Sequence, residues 1–387
     1  MQPLHSSADL AGTPREHGFR MPGEFEPHRG CWMLWPTRSD NWREAARPAQ
    51  RAFAAVAHAI ADFEPVTVGV PARVFDEARL ALQPRIRVLR LESDDAWMRD
   101  VGPTCVMDKI GRVRGVDWEF NAWGGLNGGL YFPWDRDALV ARRVLRIEAL
   151  ARYRAPLVCE GGAIHSDGEG TLLVTEQCLL NPNRNPELSR QEIEEWLCEY
   201  TGAEKIIWLG KGIYQDETDG HVDNLVCFAR PGEVILQACS DRRDPQFRIS
   251  EDAYRRLSLA RDAQGRRLRI HRLPLPGPLF QSEYEARGVV TNVGPNVGRL
   301  GPMSVSGMRR QSGQRLAASY VNFYIANGGV VMPLLDPRWD ERVRKMLSRC
   351  FPGRRVVGVP AREILLGGGN IHCITQQIPA NRVASPD

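Results

Sequence analysis

Gly161-Gly162-Ala163-Ile164-His165 and Gly368-Gly369-Asn370-Ile371-His372 are nearly the same five residues written twice, each just after an apolar run. Paired glycines let the backbone pass close to whatever lies beside them. Their recurrence after similar segments points to repeated helix-and-strand units arranged radially, with strand ends meeting at a centre. In this alignment Cys373 takes the place of Ser166, so a thiol stands just past a glycine-rich corner near the pseudo-axis. The intervening sequence supports such units. Helical spacing over residues 51–63 leads into an extended 65–70, 74–82 into 86–91, and 138–153 into 157–160. Ser189 and Glu192 form a capping-box pattern ahead of a helix over 191–200, followed by a strand at 205–209. Strands are expected at 222–229 and 233–238, a helix at 251–261 and a strand at 268–273. Extended segments at 317–326 and 330–334 follow, then a helix at 337–350 and strands at 356–359 and 363–366.

No Pro/Gly/Ser-rich linker divides the chain, so residues 25–387 are read as one α/β domain. Residues 1–24 mix charge, Pro and Gly without an apolar segment, and are expected to be a flexible N-terminal segment without a signal peptide. Acids and bases are scattered and nearly balanced, with a net charge of +4, which argues against nucleic acid. No apolar run approaches the roughly 20 residues of a membrane span. The nine cysteines are an odd number without a C-x-x-C pair, which fits a reducing, cytoplasmic setting. Most are expected to be small buried hydrophobes.

Three segments carry chemistry. In Trp97-Met98-Arg99-Asp100, before a Gly-Pro turn, Asp100 can accept a bidentate pair of N–H bonds from a guanidinium and Trp97 can cover an alkyl chain. In Asp216 to Asn224, His221 and Asp223 are two residues apart and would share one face of a strand, where a carboxylate raises the imidazole pKa. A metal is the competing reading there, but zinc would want more His or Cys at short spacing. In residues 367–377, three glycines precede Asn370, His372 and Cys373. The segment lacks the Lys-Ser/Thr of a phosphate loop. On an extended segment His372 would point away from Cys373, which leaves His221 as the better proton-transfer partner.

Taken together, WMRDVGPT (97–104), DGHVDN (219–224) and GGGNIHCITQQ (367–377), with FNAWGG (120–125), LYFPWD (130–135), residues 160–186 and SYVNFYIANGG (319–329), closely resemble the agmatine deiminases of the peptidylarginine deiminase-like, guanidine-modifying group. The resemblance implies a pentein fold, a five-bladed α/β propeller, with no metal or organic cofactor. It implies hydrolysis of agmatine to N-carbamoylputrescine and ammonia, in polyamine biosynthesis or agmatine catabolism. Cys373 would be the nucleophile, His221 the acid/base, and Asp100 and Asp223 the guanidinium-binding carboxylates. Trp97, Glu160, Glu217 and Gly369 would line the rest of the pocket. Asp219 departs from the asparagine expected at its position and adds a charge near His221. A homodimer is the expected assembly.

Agmatine is expected to be preferred over arginine, because Glu160 and Glu217 would favour a far-end ammonium, and Arg99 is the only basic residue within the pocket-forming motifs. Deimination of peptidyl arginine or another guanidine, amidino transfer to an amine, and guanidine binding without turnover are the competing functions.

Overall fold

The computed structural model describes residues 9–287, 289 and 311–381. The first unit comprises β1 (His28–Leu34), α1 (Arg47–Ala61), β2 (Val66–Val70), α2 (Phe75–Ala81) and β3 (Arg87–Arg90). The second follows with α3 (Met98–Val101), β4 (Thr104–Met107), β5 (Val113–Glu119), α4 (Val140–Ile147) and β6 (Arg152–Val158). The third contains β7 (His165–Ser166), β8 (Thr171–Thr175), α5 (Glu176–Leu179), α6 (Arg190–Thr201) and β9 (Lys205–Leu209). The fourth contains β10 (Val226–Arg230), β11 (Glu233–Ala238), α7 (Pro245–Leu259), β12 (Arg269–Pro274) and α8 (Glu283–Arg287). The fifth contains β13 (Tyr324–Ala326), β14 (Gly329–Leu334), α9 (Asp340–Cys350), β15 (Arg355–Pro360) and α10 (Arg362–Leu366), and β16 (Gln376–Pro379) comes last.

Each unit forms its own sheet, giving the orders β16-β1-β2-β3, β4-β5-β6, β7-β8-β9, β10-β11-β12 and β13-β14-β15. In every sheet an antiparallel pair is followed by a parallel one, as in β4 on β5 and then β5 on β6. Outside the first sheet, whose antiparallel pair brings together opposite ends of the sequence, a short turn makes the first connection, whereas a parallel neighbour requires a crossover, here carried by helix. Local sequence marks those crossovers. Ser189 and Glu192 close a reciprocal capping box on α6, Gly202 ends it in the left-handed region at φ 67°, and Asp244 caps α7 ahead of Pro245. Strands covered on both faces are buried at every residue, as β2 and β8 show. The five sheets are the blades of an α/β propeller. The first blade is closed by β16 pairing antiparallel with β1, Cys31 opposite Gln377 and Trp32 opposite Gln376.

Several local expectations are corrected. The strand expected at 222–229 begins only at Val226, and His221 instead leads into a 3-10 turn over Val222–Asn224. The expected strand at 363–366 is α10, and Trp97-Met98-Arg99-Asp100 runs into the helical turn α3. The helix expected over 138–153 gives way to β6, which takes Arg152 and Tyr153 into the second sheet. From Asp9 onward the segment expected to be flexible is packed. Leu10 donates its N–H to Arg152 O at 2.8 Å, Arg20 bridges to Met107, and Phe19, Met21 and Glu24 are buried. Its polar residues Asp9, Arg15, Glu16 and His17 remain exposed, while Glu24 is carried into the blade centre. Residues 1–8 lie outside the described residues.

Candidate active site

The blade ends bring the three motifs to one place. Successive residues of a helical turn diverge by about 100°, so α3 sends Arg99 and Asp100 to different neighbours. Asp100 turns inward, where Gly162 N–H donates to its Oδ1 and Trp123 Nε1 to its Oδ2, both at 2.9 Å. Arg99 turns away, donating to Glu24 at 3.0 Å and Gln377 at 2.9 Å, while its backbone N–H donates to Cys373 O. The glycines of the repeated segment sit where side chains cannot. A Cβ on Gly162 would lie 2.6 Å from His221 Nδ1 and 2.9 Å from Asp100 Oδ1, and one on Gly369 would lie 2.5 Å from the Trp97 ring and 3.1 Å from Cys373 Sγ.

Cys373 Sγ receives Asn322 Nδ2–H at 3.2 Å and faces Asp223 Oδ2 at 3.7 Å. Asp223 Oδ2 in turn accepts from His372 Nδ1 at 2.8 Å, and its Oδ1 is buried without a hydrogen bond. His221 places Nδ1 3.9 Å from Asp100 and Nε2 3.4 Å from Glu160 Oε2. A cavity opens over this group, and its walls include Trp97, Asp100, Trp123, Glu217, Gly369 and Cys373.

Electrostatics sort the carboxylates. Burial, together with the like charges of Asp223 and Glu160, pushes Asp100 up to about 6 against the pull of His221. Burial acts on Asp223 too, but its bond to His372 and the charge of His221 outweigh it and hold Asp223 below the usual range. His221 is raised well above an ordinary histidine: burial opposes its charge, and Asp100, Cys178 and Glu160 more than compensate. The Cys373 thiol is pushed well up by burial and then by Asp223 and Asp100. Without a cation in the cavity the sulfur therefore holds its proton.

Glu160 differs from its expected placement. It is fully buried behind His221 and ion-paired with Arg184 at 2.8 Å; like His221 and Asp223 it lies beneath the cavity wall, which Glu217 joins. Asp219 adopts φ 64°, a conformation asparagine and aspartate tolerate best among side-chain-bearing residues. Its carboxylate accepts from Arg184 at 2.9 Å and Asn183 at 2.8 Å, so the added charge is spent on Arg184.

Several contributors lay outside the sequence reading. Glu24 came from the segment expected to be flexible. Asn322 and Trp123 lay inside quoted stretches without a spacing that singles them out. Arg38 lines the cavity from outside the motifs, paired with Asp40 and 4.4 Å over the Tyr131 ring. Two buried sets, Glu24 with His165 and His372 and Glu160 with Cys178 and His221, converge within 4.8 Å as metal ligands would. Each carboxylate there already holds an arginine, Arg99 or Arg184, whose cation opposes a second one.

A buried cysteine flanked by two carboxylates and an imidazolium, at the hub of five ββαβ-type blades, defines a guanidine-modifying enzyme of the pentein class. Residues 20–379 match the model of the Porphyromonas-type peptidyl-arginine deiminase family, and the chain belongs to that family. It is 56% identical over 374 residues to the agmatine deiminase of Pseudomonas aeruginosa strain LESB58, covering 96% of this chain and 98% of that protein. It is 54% identical over 373 residues to the agmatine deiminase of Ectopseudomonas mendocina strain ymp, covering 96% and 98%. The solved agmatine deiminase of Enterococcus faecalis superposes with a TM-score of 0.91 at 45% identity, covering 97% of this chain and all of that one.

Proposed function

We propose that the chain is an agmatine deiminase that hydrolyses agmatine to N-carbamoylputrescine and ammonia through a covalent intermediate on Cys373. The observation that carries this reading is the placement of Cys373 Sγ beside Asp223 with Asp100 across the same centre, a pair of buried anions matched to one planar cation. The guanidinium offsets the two negative charges that hold the thiol protonated, so on substrate binding the thiol releases its proton to solvent through the open cavity, and clamping the guanidinium carbon against the resulting thiolate makes attack effectively unimolecular. His221 gives a proton to the departing nitrogen as the C–N bond breaks, and ammonia leaves behind an amidino-thioether. The neutral imidazole then takes a proton from water, whose oxygen adds to the same carbon, and expulsion of the thiolate releases the ureido product. Asn322, donating to Sγ, stabilises the sulfur in its charged form.

Trp97 covers the methylene chain and Glu217 takes the far ammonium, while Glu160 acts on His221. Arg38 is balanced by Asp40 and adds no free cation for a substrate carboxylate. The same reading makes the described residues, from Asp9 onward, one catalytic domain and the enzyme a cytoplasmic homodimer using no metal or organic cofactor. Its partner is a free small cation, neither nucleic acid nor membrane. No helix among the described residues is long and apolar enough to cross a membrane. The test is ammonia release from agmatine, arginine and a peptidyl arginine by wild type and Cys373→Ser. Agmatine should exceed arginine in kcat/KM by about a hundredfold, near 3 kcal/mol, and the serine variant should release none. Equal use of arginine would refute the substrate, and turnover by Cys373→Ser the chemistry.

A further inference from the structure

His372 precedes the nucleophile, yet both of its ring nitrogens are committed elsewhere. Nδ1 lies 2.8 Å from Asp223 Oδ2, and Nε2 lies 2.9 Å from each oxygen of Glu24. An imidazole that meets ionised carboxylates at both nitrogens carries a proton on each. Glu24 is bound in turn by Arg99 at 3.0 Å. His165 also approaches Glu24, with Nε2 at 3.7 Å, and its Nδ1 accepts the Phe228 N–H at 3.4 Å. All four groups are buried, so none of these charges is relieved by water.

A second set of the same residue types lies across the site: Asp100, His221, Glu160 and Arg184 against Asp223, His372, Glu24 and Arg99. The two differ in how tightly the imidazole is held. His221 stands 3.9 Å from Asp100 and 3.4 Å from Glu160, and its Nε2 makes no hydrogen bond. A loosely held ring can pass a proton and turn toward substrate or water. His372, saturated at both nitrogens, cannot do so without breaking a bond inside a dry centre.

We propose that His372 is a fixed imidazolium, held by Glu24, that positions Asp223 and keeps it ionised to receive the substrate guanidinium, and that it transfers no proton in the reaction. Both histidine and glutamate are positioning residues, since they act through Asp223. The groups facing His372 are Glu24 from the N-terminal segment, Asp223 from the turn before β10, Arg99 from α3 and the His165 ring from β7, whose centroid is 6.2 Å away. Burial and Arg99 oppose its charge, Glu24 and Asp223 outweigh them, and its pKa is raised. Asp223 is faced by His372, His221, Arg99, Asp100, Asp216 and the Cys373 thiol. Removing the fixed cation leaves Asp223 buried beside another acid, which drives its protonation and removes half of the guanidinium clamp.

This inference rests on the deiminase reading for its kinetic arm only. His372→Asn keeps a donor near the Nδ1 position but removes the charge and the reach to Glu24. Glu24→Gln keeps an acceptor for Nε2 and removes the anion that stabilises the imidazolium. The first measurement is a nitrogen-15 NMR titration of the ligand-free wild type, with the His372 signals assigned by their loss in the asparagine variant or, where that variant does not fold, by their shift in Glu24→Gln. The ring should stay doubly protonated from about pH 6 to 9, and a ring that becomes neutral in that interval overturns the proposal. The second is the pH profile of kcat/KM. Asp100 sets the wild-type acid limb at about 6; in His372→Asn the buried Asp223, stripped of its cation, should rise past that value and carry the limb up by about one unit or more, about tenfold at a pH on the limb, chiefly in KM and recovering toward alkaline pH. Glu24→Gln should move it the same way by less. A loss equal at every pH in the variants that fold marks a purely structural role and refutes the inference. If wild type releases no ammonia from agmatine while the ring stays charged, the functional reading falls and the fixed imidazolium stands.

Discussion

Trp123→Phe isolates a single hydrogen bond to the substrate-binding carboxylate. The indole Nε1 donates to Asp100 Oδ2 at 2.9 Å, while the ring packs edge-on against Phe120 at 5.2 Å and Tyr131 at 5.7 Å. Phenylalanine keeps most of that packing and removes the donor. Hydrogen bonds to charged groups contribute about 1.5–3 kcal/mol, and one pKa unit corresponds to about 1.36 kcal/mol. The loss therefore raises Asp100 by roughly 1 to 2 units, starting from a carboxyl already pushed up to about 6 by burial and by Asp223 and Glu160. Asp100 binds the guanidinium only when ionised, so activity is lost as pH falls through its pKa. The acid limb of kcat/KM should move from about 6 to roughly 7–8. At pH 7 that is a loss of roughly two- to fifteenfold, nearly all regained at pH 9. Steady-state ammonia release across pH 5–9, with circular dichroism at each end, checks it. A limb that stays in place, or a loss of the same size at every pH, would show that Trp123 does not set the charge of Asp100.

Two further outcomes separate the remaining roles. His221→Asn should slow turnover by roughly a hundredfold or more and accumulate an amidino adduct on Cys373, seen by mass spectrometry of quenched enzyme; an adduct on another cysteine would move the nucleophile. Glu217→Gln should raise KM for agmatine and narrow its advantage over arginine, whereas Glu160→Gln should lower kcat for both substrates and leave their ratio in place. A change of ratio in the Glu160 variant would return that residue to the pocket wall.

What the sequence disclosed best was what depends on local pattern. The repeated Gly-Gly segment does mark equivalent corners, because only glycine fits where Gly162 meets His221 and Gly369 meets Trp97. Helix caps such as Ser189 with Glu192 are likewise written in adjacent residues. Side-chain direction was less legible. His221 and Asp223 were read as sharing a strand face, but they stand around a 3-10 turn, and it is Gly162 from another blade that brings them to Asp100. Leu365 and Leu366 look like strand and form α10, since an apolar pair has no period of its own. Glu24 was illegible, because an acid among prolines and glycines looks like solvent-exposed chain until Arg99 and His372 are seen to need it. Glu160 was misplaced for a related reason: Arg184, the residue that draws it behind His221, is distant in sequence and carries no spacing signal toward it.

The pairing of β16 with β1 has a consequence for how such a molecule is made. Cys373 lies three residues before β16 begins, and β16 joins a sheet whose other strands come from the first unit of the chain. During synthesis, the reactive sulfur therefore leaves the ribosome after every crossover helix described above and reaches the acids only when the ring shuts on β1. A polypeptide interrupted before this point has an open edge on its first blade and no nucleophile. Because β1 and β16 run side by side, a linker that closes the chain while keeping the segment that carries Glu24 to Arg99 and His372, with a new opening between two other blades, would alter the order in which the centre is assembled without altering the centre. Catalytic competence would then arrive at a different stage of chain growth, set by where the ring was cut.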